Sequence, residues 1–61
     1  MNTYEIEGTL YEAKNEYQAV GMAYKMADRI IMTGYSGNET WDYTAMFRSG
    51  KANVTVKRVV R

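Results

Sequence analysis

Residues 40–48 read TWDYTAMFR, and this stretch decides the predicted fold. Its apolar residues alternate with polar ones, and the apolar face consists of Trp41, Tyr43, Ala45 and Phe47. A hydrophobic period of two predicts a half-buried β-strand over residues 40–48. Since the aromatic face is the apolar one, we expect the rings to lie in the core, beneath a helix.

The segment before this strand predicts that helix. Asn15 is a favourable N-cap, Gln18 three residues later completes a capping-box pattern, and Glu16 suits the positive end of the helix dipole. At helical spacing one apolar face follows, with central residues Val20, Ala23, Ala27, Ile30 and Ile31. Gly34 is typical of a glycine that ends a helix. We therefore predict a helix over residues 16–33.

Two further strands flank these elements. Residues 4–11 alternate, with Tyr4, Ile6 and Leu10 on one side, and Gly8 indicates a bulge or a close approach of the helix. After a turn signal at Ser49-Gly50, β-branched residues predict a strand over residues 53–60. Residues 1–61 are thus expected to form a single domain with the order strand, helix, strand, strand.

These elements predict an α+β fold of the β-α-β-β type. A right-handed crossover makes the first two strands parallel, and a hairpin makes the third antiparallel to both. We expect a three-stranded antiparallel sheet with strand order 1-3-2 and one helix packed on one face. In that arrangement Glu5 and Glu7 lie beside Lys57 and Arg61 on the open face, where opposite charges help to fix the register.

The composition narrows the classes of function. The chain contains no histidine, cysteine or proline, so it has no imidazole base, no thiolate and none of the usual soft metal ligands. Glu5 and Glu7 share a strand face in the predicted fold, but nothing indicates a pocket that would raise the pKa of either. We therefore predict a protein that is not an enzyme and has no catalytic residues, cofactor or metal site.

The N-terminal sequence and the apolar segments bear on location. Residues 1–5 have neither the basic region nor the apolar region of a secretory signal. No apolar segment approaches the ~20 residues needed to cross a bilayer. We expect no membrane contact and a cytoplasmic protein, in the host cytoplasm if a phage encodes it.

The six tyrosines and five methionines favour a surface that contacts another protein. Methionines near the polar side of the predicted helix make its apolar arc wider than one sheet face requires. The predicted protein-binding residues lie on the outer helix face and the following loop, and they are Gln18, Met22, Lys25, Arg29, Tyr35 and Asn38. Unpaired strand edges offer a second route to a partner, and the small core favours a homodimer.

The size and type of the chain are typical of small accessory proteins encoded by phages and mobile elements. We expect a regulatory or inhibitory protein that acts by occupying a surface of a host protein. Its partner would be another protein, of unknown identity.

A cluster of bases near the C-terminus supports an alternative function. Residues 48–61 contain no acidic residue, and their bases are Arg48, Lys51, Lys57, Arg58 and Arg61. Unpaired cations of this kind bind phosphates, so a nucleic-acid-binding module is the alternative. The same bases would be neutralised if they paired with the N-terminal glutamates. A structural subunit of a larger particle is a third interpretation.

Overall fold

The computed structural model describes residues 1–60, which form five strands and one helix. In chain order they are β1 (Asn2–Ile6), β2 (Thr9–Ala13), α1 (Glu16–Ala23), β3 (Arg29–Tyr35), β4 (Thr40–Phe47) and β5 (Gly50–Val59). All five strands join one sheet in the order β2-β1-β5-β4-β3, and each neighbouring pair is antiparallel. The predicted three-stranded sheet is therefore wrong. Below, the face packed against α1 is the helix side, and the other is the open face.

The first additional strand comes from a hairpin within the predicted strand 4–11. Glu7 and Gly8 both have positive φ, 53° and 84°, as in the two-residue turns that join antiparallel strands. Ile6 therefore pairs with Thr9, and Leu10 lies opposite Glu5 on the open face, 51% exposed. The alternation predicted Leu10 on the helix side, because residues 7 and 8 were expected to continue the strand and instead form a turn.

The second additional strand comes from the C-terminal half of the predicted helix 16–33. The N-cap is as predicted, since the Asn15 side chain accepts a hydrogen bond from the Gln18 amide at 2.8 Å, but α1 ends at Ala23. Ile30 and Ile31 are β-branched residues that favour strands, and β3 hydrogen-bonds along β4, which would otherwise be a sheet edge. Within residues 1–60, no helix has the length and apolar character needed to cross a membrane.

The two remaining strands lie close to their predicted positions. On β4 the alternation is confirmed, because Tyr43 and Ala45 are buried on the helix side. β5 begins at Gly50, three residues before the predicted start at residue 53, and lies between β1 and β4. The core fills the space between α1 and the sheet and consists of Tyr4, Ile6, Ala13, Ala19, Val20, Tyr43, Ala45, Val54 and Val56.

Because α1 has only eight residues, it covers the helix side incompletely. Tyr43 meets the helix, with its ring centroid 6.2 Å from that of Tyr17. Trp41, two residues earlier on the same face, is only partly buried. Its ring neighbours are Tyr4 on β1 and Tyr35 on β3, at 6.1 and 5.5 Å between centroids. Trp41 therefore packs against the core on the helix side, but it is not fully covered as the sequence predicted.

Candidate protein-binding surface

Large apolar side chains are exposed on the helix side, on α1 and on the neighbouring strands β3 and β4. Tyr17, Met22 and Tyr35 are 54%, 40% and 56% exposed, and Trp41 is partly exposed beside Tyr35. We call these four residues the helix-side apolar surface. Tyrosine, tryptophan and methionine are enriched at protein interfaces, so this set has the composition of a contact surface.

The α1 part of this surface is a shallow groove of about 530 Å³, lined by Asn15, Tyr17, Gln18, Gly21, Met22 and Lys25. Gly21 explains the depression. It lies one helical turn after Tyr17 and has no side chain to fill the space beside that residue. A Cβ atom at this position would lie 3.9 Å from Ile30 Cδ1 on β3, so the glycine faces the edge of the sheet.

The strand part of the surface is built by cross-strand pairing of aromatic residues. Tyr35 is the direct Cα partner of Trp41, and their rings are tilted by 31°. Trp41 also packs against Tyr4 with an edge-to-face geometry, at an interplanar angle of 65°. Tyr43 connects the two parts, since it shares the face of Trp41 on β4 and its ring meets Tyr17 on α1.

Two tyrosine hydroxyl groups hold α1 against the sheet. The Tyr43 hydroxyl donates to Glu16 Oε2 at 3.1 Å, at the start of the helix. The Tyr24 hydroxyl, just after the helix, donates to Glu7 Oε1 at 2.7 Å in the β1–β2 turn. Burial and the Glu16 hydrogen bond raise the pKa of Tyr43 to about 12. The Glu7 hydrogen bond and burial raise the pKa of Tyr24 to about 12, so both hydroxyls stay neutral donors at physiological pH.

The structure brings three of the predicted protein-binding residues together. The groove is lined by Gln18 and Met22 of α1 and by Lys25, which lies in the turn after the helix and not on its outer face as predicted. Tyr35 belongs to the strand part of the surface, and exposed Asn38 lies in the loop between β3 and β4.

Arg29 is separated from the other predicted residues. It lies on β3 rather than on the helix, directly opposite Met46. Because Met46 follows the buried Ala45 on β4, both side chains belong to the open face. Its predicted place on the outer helix face is therefore wrong.

The predicted basic cluster is divided between the two faces of the sheet. Lys57 lies on the open face opposite Glu5, a neighbour that the charge pattern predicted. Arg58, the next residue, points to the helix side, where Nη1 is 2.8 Å from Glu39 Oε2 and Nη2 donates to Asn2 Oδ1 at 3.3 Å.

The other bases lie at the opposite end of β5. Arg48 is in the β4–β5 turn, and Lys51 is on the open face opposite Met46. Lys51 and Lys57 are six residues apart on one strand, roughly 20 Å at the usual rise per residue. Arg61 lies outside the described residues. The four described bases therefore form no single patch.

The sequence did not identify Tyr17 and Trp41 as surface residues. Tyr17 flanked the predicted apolar stripe of the helix, which assigned it to the border of the core. The exposure of Trp41 depends on where α1 ends. A sequence signal for a strand after the helix was present in Ile30 and Ile31, because β-branched residues favour strands.

Comparison with known proteins identifies no family. No family model matches the chain, and neither a curated protein nor a solved structure shows significant similarity to it. The geometry of the surface is therefore the basis for a proposal on function.

Proposed function

We propose that this chain is a small protein-binding module and that the helix-side apolar surface contacts its partner. The observation that carries the proposal is the exposure of Tyr17 and Met22 on α1 and of Tyr35 on β3, where Trp41 is partly exposed beside Tyr35. Covering apolar area is favourable by about 25 cal/mol per Å². Tyrosine and tryptophan also lose little conformational entropy when a partner covers them, because each has only two side-chain torsions.

The fixed position of α1 supports this proposal. The hydrogen bonds from Tyr43 to Glu16 and from Tyr24 to Glu7 attach both ends of the helix region to the sheet. A surface held in this way needs little reordering on binding, which preserves affinity.

The rim of the groove suggests the chemistry of the partner. Lys25 places a cation beside the apolar side chains of Tyr17 and Met22. A partner segment with apolar side chains and a neighbouring carboxylate would complement this arrangement, since polar rims around apolar centres are usual at interfaces. We further propose a regulatory or inhibitory role, exerted by occupying a surface of that protein.

Affinity capture with matched variants tests the proposal. Met22→Lys and Tyr35→Ser change exposed side chains of the surface, whereas Leu10→Lys changes an exposed apolar residue on the open face. We expect the wild-type protein and Leu10→Lys to retain the same protein in stoichiometric amounts. Met22→Lys and Tyr35→Ser should lose it while circular dichroism shows them folded.

Two results would contradict the proposal. Equal retention by all four proteins would mean that the partner binds elsewhere. Recovery of nucleic acid instead of a protein would favour the basic residues as the binding site. In that case retention should fall steeply with salt and should weaken in Lys51→Ala.

A further inference from the structure

The two edges of the sheet differ in chemistry. β2 and β3 are the edge strands, and the outward N–H and C=O groups of an edge strand can pair with another strand. β2 contains Glu12 and is flanked by Glu7 and Lys14. On the β3 side, residues 30–38 contain no charged residue and no proline. Natural edges usually carry charges that prevent pairing, whereas the only charged residue of β3 is Arg29, at its start.

β3 also exposes apolar side chains on both faces of the sheet. Ile31 is 38% exposed on the open face, and Met32 is 54% exposed on the helix side. The regular part of the strand ends after Met32, where the pairing with β4 shifts. Thr33, at this bulge, turns its hydroxyl back to donate to the Asp42 carbonyl at 3.2 Å. The edge that a second strand can follow therefore extends from Arg29 to about Thr33.

We propose that β3 pairs with β3 of a second copy of this chain, antiparallel, about a two-fold axis at Ile31. Ile31 then lies opposite Ile31 of the second copy on the open face. On the helix side, Ile30 lies opposite Met32 of the second copy, twice by symmetry. Arg29 lies opposite Thr33, so no like charges face each other. The two five-stranded sheets become one continuous sheet of ten strands.

The distribution of apolar and charged residues along β3 favours this register and favours a second copy of the chain as the partner. A shift by one residue would place the helix side of one copy beside the open face of the other and separate Ile30 from Met32. Pairing of β3 with β2 of another copy would set Glu12 beside an apolar strand and would not close. An antiparallel pair of identical strands needs a strand without repelling charges, and Ile30–Thr33 meets that condition.

The absence of cysteine from the chain allows a sharp test by cross-linking. In Ile31→Cys the introduced thiols would face each other across the axis, within the Cα separation of about 4.4–6.8 Å that a disulfide spans. We expect mild oxidation to convert this variant to a covalent dimer on non-reducing gels. Leu10→Cys, at the more exposed position on β2, is the control and should stay monomeric on the gel.

Sedimentation equilibrium of the purified protein gives the second measurement. We expect the wild-type protein and Leu10→Lys to have twice the monomer mass. Ile31→Lys should be a folded monomer by circular dichroism, because two ammonium groups would face each other at the axis. A monomeric wild-type protein at millimolar concentration would overturn the proposal. So would a dimer that persists in Ile31→Lys, or Ile31→Cys that cross-links no faster than Leu10→Cys. These outcomes do not depend on whether the capture experiment finds a partner.

Discussion

Gly21 and Gly8 offer a paired test of the fold, because one added methyl group should have opposite effects at the two positions. Gly21 is inside α1, and a Cβ there meets Ile30 Cδ1 at 3.9 Å, an ordinary van der Waals contact. Glycine within a helix is less stable than alanine by roughly 0.5–1 kcal/mol. We therefore expect Gly21→Ala to raise the free energy of unfolding by about this amount.

Gly8 has a φ of +84°, and a Cβ there would have no atom within 4 Å. Steric clash with a neighbouring side chain is therefore absent, and the effect isolates the backbone conformation. A residue with a side chain pays about 1–2 kcal/mol in the left-handed region. Gly8→Ala should lower the free energy of unfolding by that amount.

Urea unfolding and thermal unfolding at one protein concentration measure both variants. For a domain of this size, 1 kcal/mol corresponds to roughly 4–8 °C in Tm. The two variants should move Tm in opposite directions and leave the slope of the urea transition unchanged. A destabilising Gly21→Ala would refute the packing of α1 on β3. A neutral or stabilising Gly8→Ala would refute the hairpin between β1 and β2.

Two other predictions follow from the hydrogen bonds of α1. Asn15→Ala should lower the free energy of unfolding by about 1 kcal/mol, because the amide of Gln18 loses its acceptor. Asn15→Asp should retain most of the stability that the cap provides. Urea titration measures the free energy of unfolding of both variants. Stability should fall as pH rises from 10 to about 12, because the pKa values of Tyr24 and Tyr43 are raised from 10.0 to about 12 in the folded protein. In that range the unfolded chain binds fewer protons than the folded one, and below pH 10 both forms are protonated. Replacing both tyrosines by phenylalanine should flatten this alkaline loss, and an unchanged slope would contradict the two hydrogen bonds.

Local sequence signals predicted those elements whose residue pattern is compatible with only one secondary structure. The alternation around Tyr43 and Ala45 indicates a strand because no helical spacing fits those buried residues. Asn15 and Gln18 predict a helix start through a hydrogen bond between residues three apart, and that hydrogen bond is present. Neither of these two inferences needed knowledge of the rest of the fold. Glu5 beside Lys57 followed instead from the predicted place of the last strand next to the first, which the structure also has.

The two missed strands depend on information that local periodicity does not carry. A two-residue turn at Glu7 and Gly8 preserves alternation within each strand while it reverses which residues face the core. From Val20 to Ile30 the apolar spacing fits a helix as well as it fits a helix followed by a strand. What decides between them is the pairing of β3 along β4, which is a long-range contact.

The end of α1 at Ala23 also creates both proposed contact surfaces. A helix that continued to residue 33 would have kept Ile30 and Ile31 on its apolar face and left β4 at the edge of the sheet. Because the chain instead turns and adds β3, Tyr35 comes to lie beside Trp41 on an uncovered part of the helix side. The same turn places at the edge a strand whose only charged residue is Arg29, at its start. The competition between helix and strand over residues 24–35 therefore determines which surfaces this protein presents, and binding at either surface would stabilise the strand.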